Sequence, residues 1–151
     1  MNRTGTPPSA TERSSYTIWE SVTLRYADTD RQGHVNNAVF ATFCESGRVA
    51  FLYDKALGLG GGASGTNFVI ARLELDFRAE LYYPGVVDIG TRVLSVGRSS
   101  FRLGQGIFSG DLCAATAECV MVLMDDATRK STPLSSKARE WLEERMAVNV
   151  V

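Results

Sequence analysis

At 151 residues, with 44% hydrophobic and 22% charged residues, the chain is long enough to bury one sizeable core and has the composition of a globular domain. Lys+Arg number 16 against 17 Asp+Glu, a formal net charge of −1, which excludes the broad positive field of a nucleic-acid binder. No run of about 18 apolar residues occurs, so no membrane span is expected.

Residues 1–15 are polar, rich in Ser, Thr and Pro, and lack the apolar stretch of a secretory signal. They read as a flexible tail ahead of one domain covering 16–151. Thr17 to Tyr26, with Ile18, Val22 and Leu24, reads as a first strand. The segment Arg25 to Asn37 follows as a loop, rich in Asp, Gly and Asn and carrying the only histidine, His34. From Asn37 to about Leu57 no proline interrupts, and Val39, Phe40, Phe43, Gly47, Ala50 and Phe51 recur near helical spacing. Ala38, Ala41, Cys44, Val49 and Leu52 make the other faces apolar too, which predicts a helix enclosed by a sheet. Asn36, or Asn37 by a shift of one, suits its N-cap. Gly58 to Gly65 ends it. That glycine run follows a helix and lacks GK[ST], so it is a loop and not a phosphate cradle.

Four strands come next. Leu73, Leu75, Phe77, Ala79 and Leu81 alternate with charged residues, a strand with one wet face. Tyr83-Pro84-Gly85 turns into Val86–Val96, Gly97 to Ser100 connects to a strand through Phe101 and Ile107, and Ser109-Gly110-Asp111 turns again. Leu112 to Met124, apolar on both faces, suits the interior of a sheet. Ala138, Trp141, Leu142, Arg145 and Met146 make a short amphipathic helix after Thr132-Pro133. Strand, long helix, four strands and small helix are satisfied by an α+β fold with one curved antiparallel sheet around the long helix, and not by a parallel dinucleotide-binding sheet.

Cys44, Cys113 and Cys119 lie in apolar surroundings, as expected of buried thiols in a reducing cytoplasmic protein. No Cys/His spacing suits a metal, and no cofactor is called for. The chemistry concentrates at Arg25–Asn37, where carboxylates and a histidine meet a helix N-terminus. Taken residue by residue, Asp28, Asp30 and His34 stand as equal candidates, and both acids are equally at home as turn formers. Glu45 and Arg48 are spaced for a helical ion pair.

The string Asp30-Arg31-Gln32-Gly33-His34-Val35-Asn36-Asn37, preceded by Arg25 to Thr29 and followed by a helix with Phe40, Glu45 and Arg48, resembles the hotdog-fold acyl-CoA thioesterases of the 4-hydroxybenzoyl-CoA thioesterase type. The resemblance implies a curved antiparallel sheet wrapping a long helix, and homodimers or homotetramers paired through sheet edges with active sites at the interface. It implies Asp30 as catalytic base or nucleophile, and the backbone N–H near Asn37 as the group polarising the thioester carbonyl. His34 then has a catalytic or supporting role, Gly33 gives the substrate room, and Asn36 caps the helix or touches substrate. Phe40 lines the pocket from the core, Arg98, Ser99 and Ser100 contact CoA, and Glu45 is a fallback carboxylate. A thioesterase for acyl carrier protein and a non-catalytic acyl-CoA-binding module are the alternatives.

Overall fold

A computed structural model of the protein describes residues 9–53 and 65–147. The elements are strand β1 (Ile18–Thr23), helix α1 (Asn37–Leu52), strands β2 (Thr66–Phe77), β3 (Val86–Val96), β4 (Ser100–Ser109) and β5 (Leu112–Asp125), and helix α2 (Ser136–Ala147). The strands form one antiparallel sheet in the order β1-β3-β4-β5-β2, so β1 and β2 are its edges. With α1 laid on this sheet, the chain has the α+β hotdog architecture.

α1 begins at Asn37 because the Asn36 side chain accepts a hydrogen bond from the Ala38 N–H at 3.0 Å, satisfying one of the orphan donors of the first turn. It ends at Leu52, with Tyr53 as its cap. The rest of the expected helix, Asp54 to Leu57, and the Gly58–Gly65 loop apart from Gly65, lie outside the described residues. Phe40, Phe43, Cys44, Gly47, Phe51 and Leu52 are buried, yet Val49 is 45% exposed. The helix is therefore not enclosed on all sides. Its closest approaches are to β1, β3 and β4, which leaves the flank toward edge strand β2 open.

Close approach to the sheet depends on Gly47. A Cβ there would stand 2.6 Å from Ile89 Cγ2 and 2.7 Å from Gln105 Nε2. The same Gln105 amide donates to the Cys44 carbonyl at 3.0 Å and to the Thr91 hydroxyl at 3.2 Å, tying helix to sheet in a buried layer. Gly47→Ala is expected to cost about 1–3 kcal/mol in chemical denaturation, because crowding outweighs the helix propensity gained. A variant as stable as the parent would show that the helix can lift off the sheet without cost.

β2 starts earlier and ends sooner than the alternation suggested. Phe68 to Ile70 pair with Leu123 to Met121 of β5. Beyond Phe77 the ladder stops because the Arg78 and Ala79 N–H groups both turn onto the Ala114 carbonyl. The alternation runs on to Leu81 because that side chain still reaches the core, where it is buried without being in a strand. The core has two lobes. One gathers Phe40, Phe43, Val87, Ile89 and Ile107 beneath the start of α1. The other gathers Phe51, Phe101, Leu103 and Leu142 under α2.

From Ser9 onward the expected tail is anchored. The Arg13 guanidinium reaches Asp88 at 3.2 Å and lies 4.3 Å from the Trp19 ring centroid, while the Tyr16 hydroxyl donates to the Ala10 carbonyl at 2.6 Å. Arg13 meets Asp88 across 75 positions, a pairing no local pattern encodes. Among the described residues, no helix is long and apolar enough to cross a membrane.

Candidate active site

The loop from Leu24 to Asn36 is held at both ends and folded on itself in the middle. The Leu24 N–H donates to Gly85 O at 2.8 Å, and a 3₁₀ turn follows over Tyr26–Asp28. Asp28 is the clamp. It is 2% exposed, accepts from the Arg25 backbone N–H at 2.7 Å and from its guanidinium at 2.8 and 3.1 Å, and its carbonyl accepts from the Asn36 N–H at 2.8 Å. This carboxylate is fully engaged, so it is structural and not a reacting group. The hydrogen bonds from Arg25 hold its pKa below the usual carboxylate range against the opposing effect of burial.

A folded-state pKa that is depressed contributes stability above the ordinary carboxylate value and loses it as pH falls through the folded value. Asp28→Asn is therefore expected to cost about 1–2 kcal/mol at neutral pH, the lower end for a charged hydrogen bond because Arg25 is solvent-exposed and screened. The gap from the parent should shrink below about pH 4. Urea titrations at pH 7 and pH 3 check this, and an equal gap at both would overturn it.

Between Asp28 and Asn36 the chain makes a small hairpin. Thr29 bridges Val35, the Asp30 N–H donates to the His34 carbonyl at 2.8 Å, and the Gly33 N–H to the Asp30 carbonyl at 3.1 Å. Gly33 sits at φ +85°, as the left-handed last residue of a three-residue loop requires. A Cβ there would meet nothing within 4 Å, so the backbone angle, not room for a neighbouring group of this chain, explains the glycine. Asp30 Oδ1 accepts from the backbone N–H groups of Gln32 at 2.8 Å and His34 at 3.3 Å. Oδ2 has no partner among the described residues.

Asp30 lines a cavity of about 560 Å³ together with Gln32, His34, Val35, Asn37, Phe40 and the segment Phe77 to Glu80. Asn37 is the first helical residue, and its N–H takes no acceptor among the described residues. Phe40 is both core and lining, 3% exposed and edge-on to Phe77 at 5.2 Å. His34 Nε2 lies 3.3 Å from Glu80 Oε2, which also accepts from the Tyr82 hydroxyl at 2.6 Å. That bond raises the Tyr82 pKa. The cavity thus joins an acidic residue, the first residue of a helix and an apolar wall.

Residues 24–142 match the family model of the thioesterase-like superfamily. The chain belongs to the thioesterase-like superfamily. A 1,4-dihydroxy-2-naphthoyl-CoA hydrolase of Synechococcus elongatus is 24% identical over 123 residues, covering 80% of this chain and 90% of that protein. Of solved structures, a Thermus thermophilus thioesterase complexed with coenzyme A and Zn is 28% identical with TM-score 0.73, covering 87% of this chain and 96% of that one. A structure described as a predicted thioesterase from Bacillus stearothermophilus is 25% identical with TM-score 0.77, covering 85% and 95% respectively.

For a thioesterase-like protein the reaction class is thioester hydrolysis. Asp30, His34, Asn37 and Phe40 come together at the cavity. Asn36 serves as the helix cap. Arg98, Ser99 and Ser100 do not join them within one chain. They follow the far end of β3, whose 11 residues run from the cavity side at Val86, a path on the order of 30 Å at 3.3 Å per residue. There the Ser99 carbonyl accepts from Leu123 N–H and the Arg98 carbonyl from Leu134 N–H and the Arg139 guanidinium.

Glu80, Phe77 and Arg78 also line the cavity, and no local motif marks them. The alternating pattern placed Glu80 on the wet face of a strand, and only the early end of β2 swings it toward His34. Glu45 and Arg48 make no ion pair. Cys44 and Cys119 are buried and free, their thiols pushed up by burial, Cys44 to about 12, so both are neutral packing groups. Among the described residues, no group of three or more His, Cys, Asp or Glu side chains is placed to hold a metal ion.

Proposed function

We propose that the protein is an acyl-CoA thioesterase of the 4-hydroxybenzoyl-CoA thioesterase type, hydrolysing its substrate at the Asp30 cavity. The observation that carries this is the pairing, on one cavity wall, of the unengaged Asp30 Oδ2 with the unengaged Asn37 N–H. The thioester carbonyl oxygen accepts from Asn37 N–H, where the positive end of the α1 dipole favours the charge that develops on it. Asp30 Oδ2 supplies the nucleophilic push, by taking a proton from attacking water or by attacking the carbonyl carbon itself. A carbon–oxygen bond forms, the carbon–sulfur bond breaks, and CoA leaves with the electron pair as a thiolate. In the direct route, water then hydrolyses the acyl-aspartate anhydride. His34, held beside Glu80, forms the polar wall.

The exposed apolar side chains along the open flank, Val49, Tyr53, Ile70 and Phe77, support a homodimer or homotetramer covering the β2 edge. A second copy is also what brings a set of Arg98, Ser99 and Ser100 to CoA bound at this cavity, since the chain's own set lies at the other end of its sheet. Thiol release from a panel of aliphatic and aromatic acyl-CoAs tests the reading. Turnover of any of them supports it. Inertness toward all of them, with turnover of an acyl carrier protein ester, would overturn it in favour of the carrier substrate.

A further inference from the structure

The open flank between α1 and edge strand β2 holds more than the Asp30 cavity. Further along α1 lies a space of about 340 Å³ lined by Ala41, Thr42, Glu45, Arg48, Ile70 and Leu73, with Ala71 and Arg72 at its rim. Beyond it a smaller one of about 190 Å³ is lined by Arg48, Leu52, Phe68 and Met121 among others. The three follow one another from the N-terminus of the helix toward its C-terminus, and Arg48 lines both of the latter.

Arg48 is 7% exposed, and its Nη1 is buried with no hydrogen-bond partner. It makes no hydrogen bond or ion pair to any described residue. Glu45 is on the same wall without pairing to it, and Arg72 is engaged with Glu74. The nearby thiols of Cys44 and Cys119 are neutral and give no counter-charge. A buried guanidinium without an anion is unfavourable, and an apolar side chain of the same volume would cost the fold less. No described side chain supplies that anion, so the charge points to one from outside the described residues.

We propose that this anion is carried by the substrate: the site prefers acyl-CoA esters whose acyl group ends in a second carboxylate, and Arg48 receives that carboxylate. The proposal rests on the reading of the Asp30 cavity as the thioesterase site. The planar guanidinium fork matches a carboxylate, which a point charge does not. Ala41, Ile70 and Leu73 give the wall between the two ends an apolar strip for a methylene chain, with Thr42 and Glu45 beside it. Asn37 and Arg48 are eleven residues apart on α1, about 16 Å along its axis. The arginine side chain leans back toward the helix N-terminus and shortens that span. A linear dicarboxylic acyl group of medium length bridges the Asn37 N–H and Arg48.

The test compares wild type, Arg48→Met and Arg48→Lys on matched esters: adipoyl-, suberoyl- and sebacoyl-CoA against hexanoyl-, octanoyl- and decanoyl-CoA. Wild type should favour the carboxylated member of at least one pair by about 10-fold or more in kcat/KM. Arg48→Met should lose that preference and Arg48→Lys regain part of it. Arg48→Met is expected to fold with a Tm at or above that of wild type, because it removes an unpaired buried charge. Equal preferences in wild type and Arg48→Met overturn the proposal, as does a loss of oligomeric state in Arg48→Met, which would make the anion a partner's side chain. Thermal shift with free suberic acid reads the anion site without catalysis. A rise in Tm for wild type and none for Arg48→Met supports it. The same Arg48-dependent shift with CoA alone would assign the guanidinium to a CoA phosphate and overturn the proposal. If no ester is hydrolysed while suberate still shifts the Tm, the catalytic reading falls and the anion site stands.

Discussion

Asp30→Asn is expected to lower kcat for acyl-CoA hydrolysis by about 10²–10⁴-fold, the range a positioned base contributes. The substitution is clean because the two carboxylate oxygens do different work. Oδ1 holds the hairpin by accepting from the Gln32 and His34 N–H groups, and an asparagine Oδ1 accepts the same bonds. Oδ2 is left unengaged on a residue that lines the cavity, and in its place asparagine presents an amide that neither attacks a carbonyl nor takes a proton from water. The Tm should move little, so a fall in rate reads the chemistry and not the loop. Steady-state thiol release and a thermal melt on the same preparation check both halves. Near-normal turnover in the variant would remove Asp30 from the mechanism.

Asn37→Pro is the complementary experiment, because it deletes one backbone hydrogen and little else. Asn37 is the first residue of α1, the helical position where proline is best tolerated, since its missing N–H has no acceptor within the helix. The residue before it is already suited: Asn36 has φ −58° and ψ 134°, in the extended region that a following proline demands. The Ala38 N–H keeps its bond to Asn36 Oδ1, so the cap survives. If the Asn37 N–H polarises the thioester carbonyl, its loss costs about 2.7–4 kcal/mol in the transition state, a fall of about 10²–10³-fold in kcat. KM should change far less, because the donor matters most to the charge that develops during reaction. Asn37→Ala keeps the N–H and controls for the side chain. If the proline and alanine variants turn over alike, the helix terminus is not the oxyanion site.

The two experiments separate contributions that the loop packs into eight residues. One touches only the carboxylate and the other only the helix end, while the Asp28 clamp that positions both stays intact. Because the Asp28 carboxylate is spent on Arg25, it lends Asp30 no free carboxylate to share a proton with.

The chain order of elements was legible in the sequence because it depends on local rules: period-two alternation for β2, turn residues that bound β3 to β5, helical spacing after Asn36, and an asparagine placed to cap. The core residues Phe40, Phe43 and Phe51 follow from the same periodicity. Asp30 was separable from Asp28 and His34 only through a resemblance, since local chemistry suits all three. The tertiary structure decided what depends on distant partners. It gave the clamp to Asp28, through a backbone bond from Asn36, and the phenolic and imidazole partners to Glu80, across the turn that ends β2. It placed Arg98 to Ser100 at the far end of the sheet from Asp30, because β3 lies between them. It also left Arg48 buried without its expected Glu45, because the helix turns that arginine under the β2 edge while the glutamate stays in solvent. Periodicity specifies which face of an element is buried; only the packing of one element on another determines which charge meets which, and in this protein that meeting sets the site.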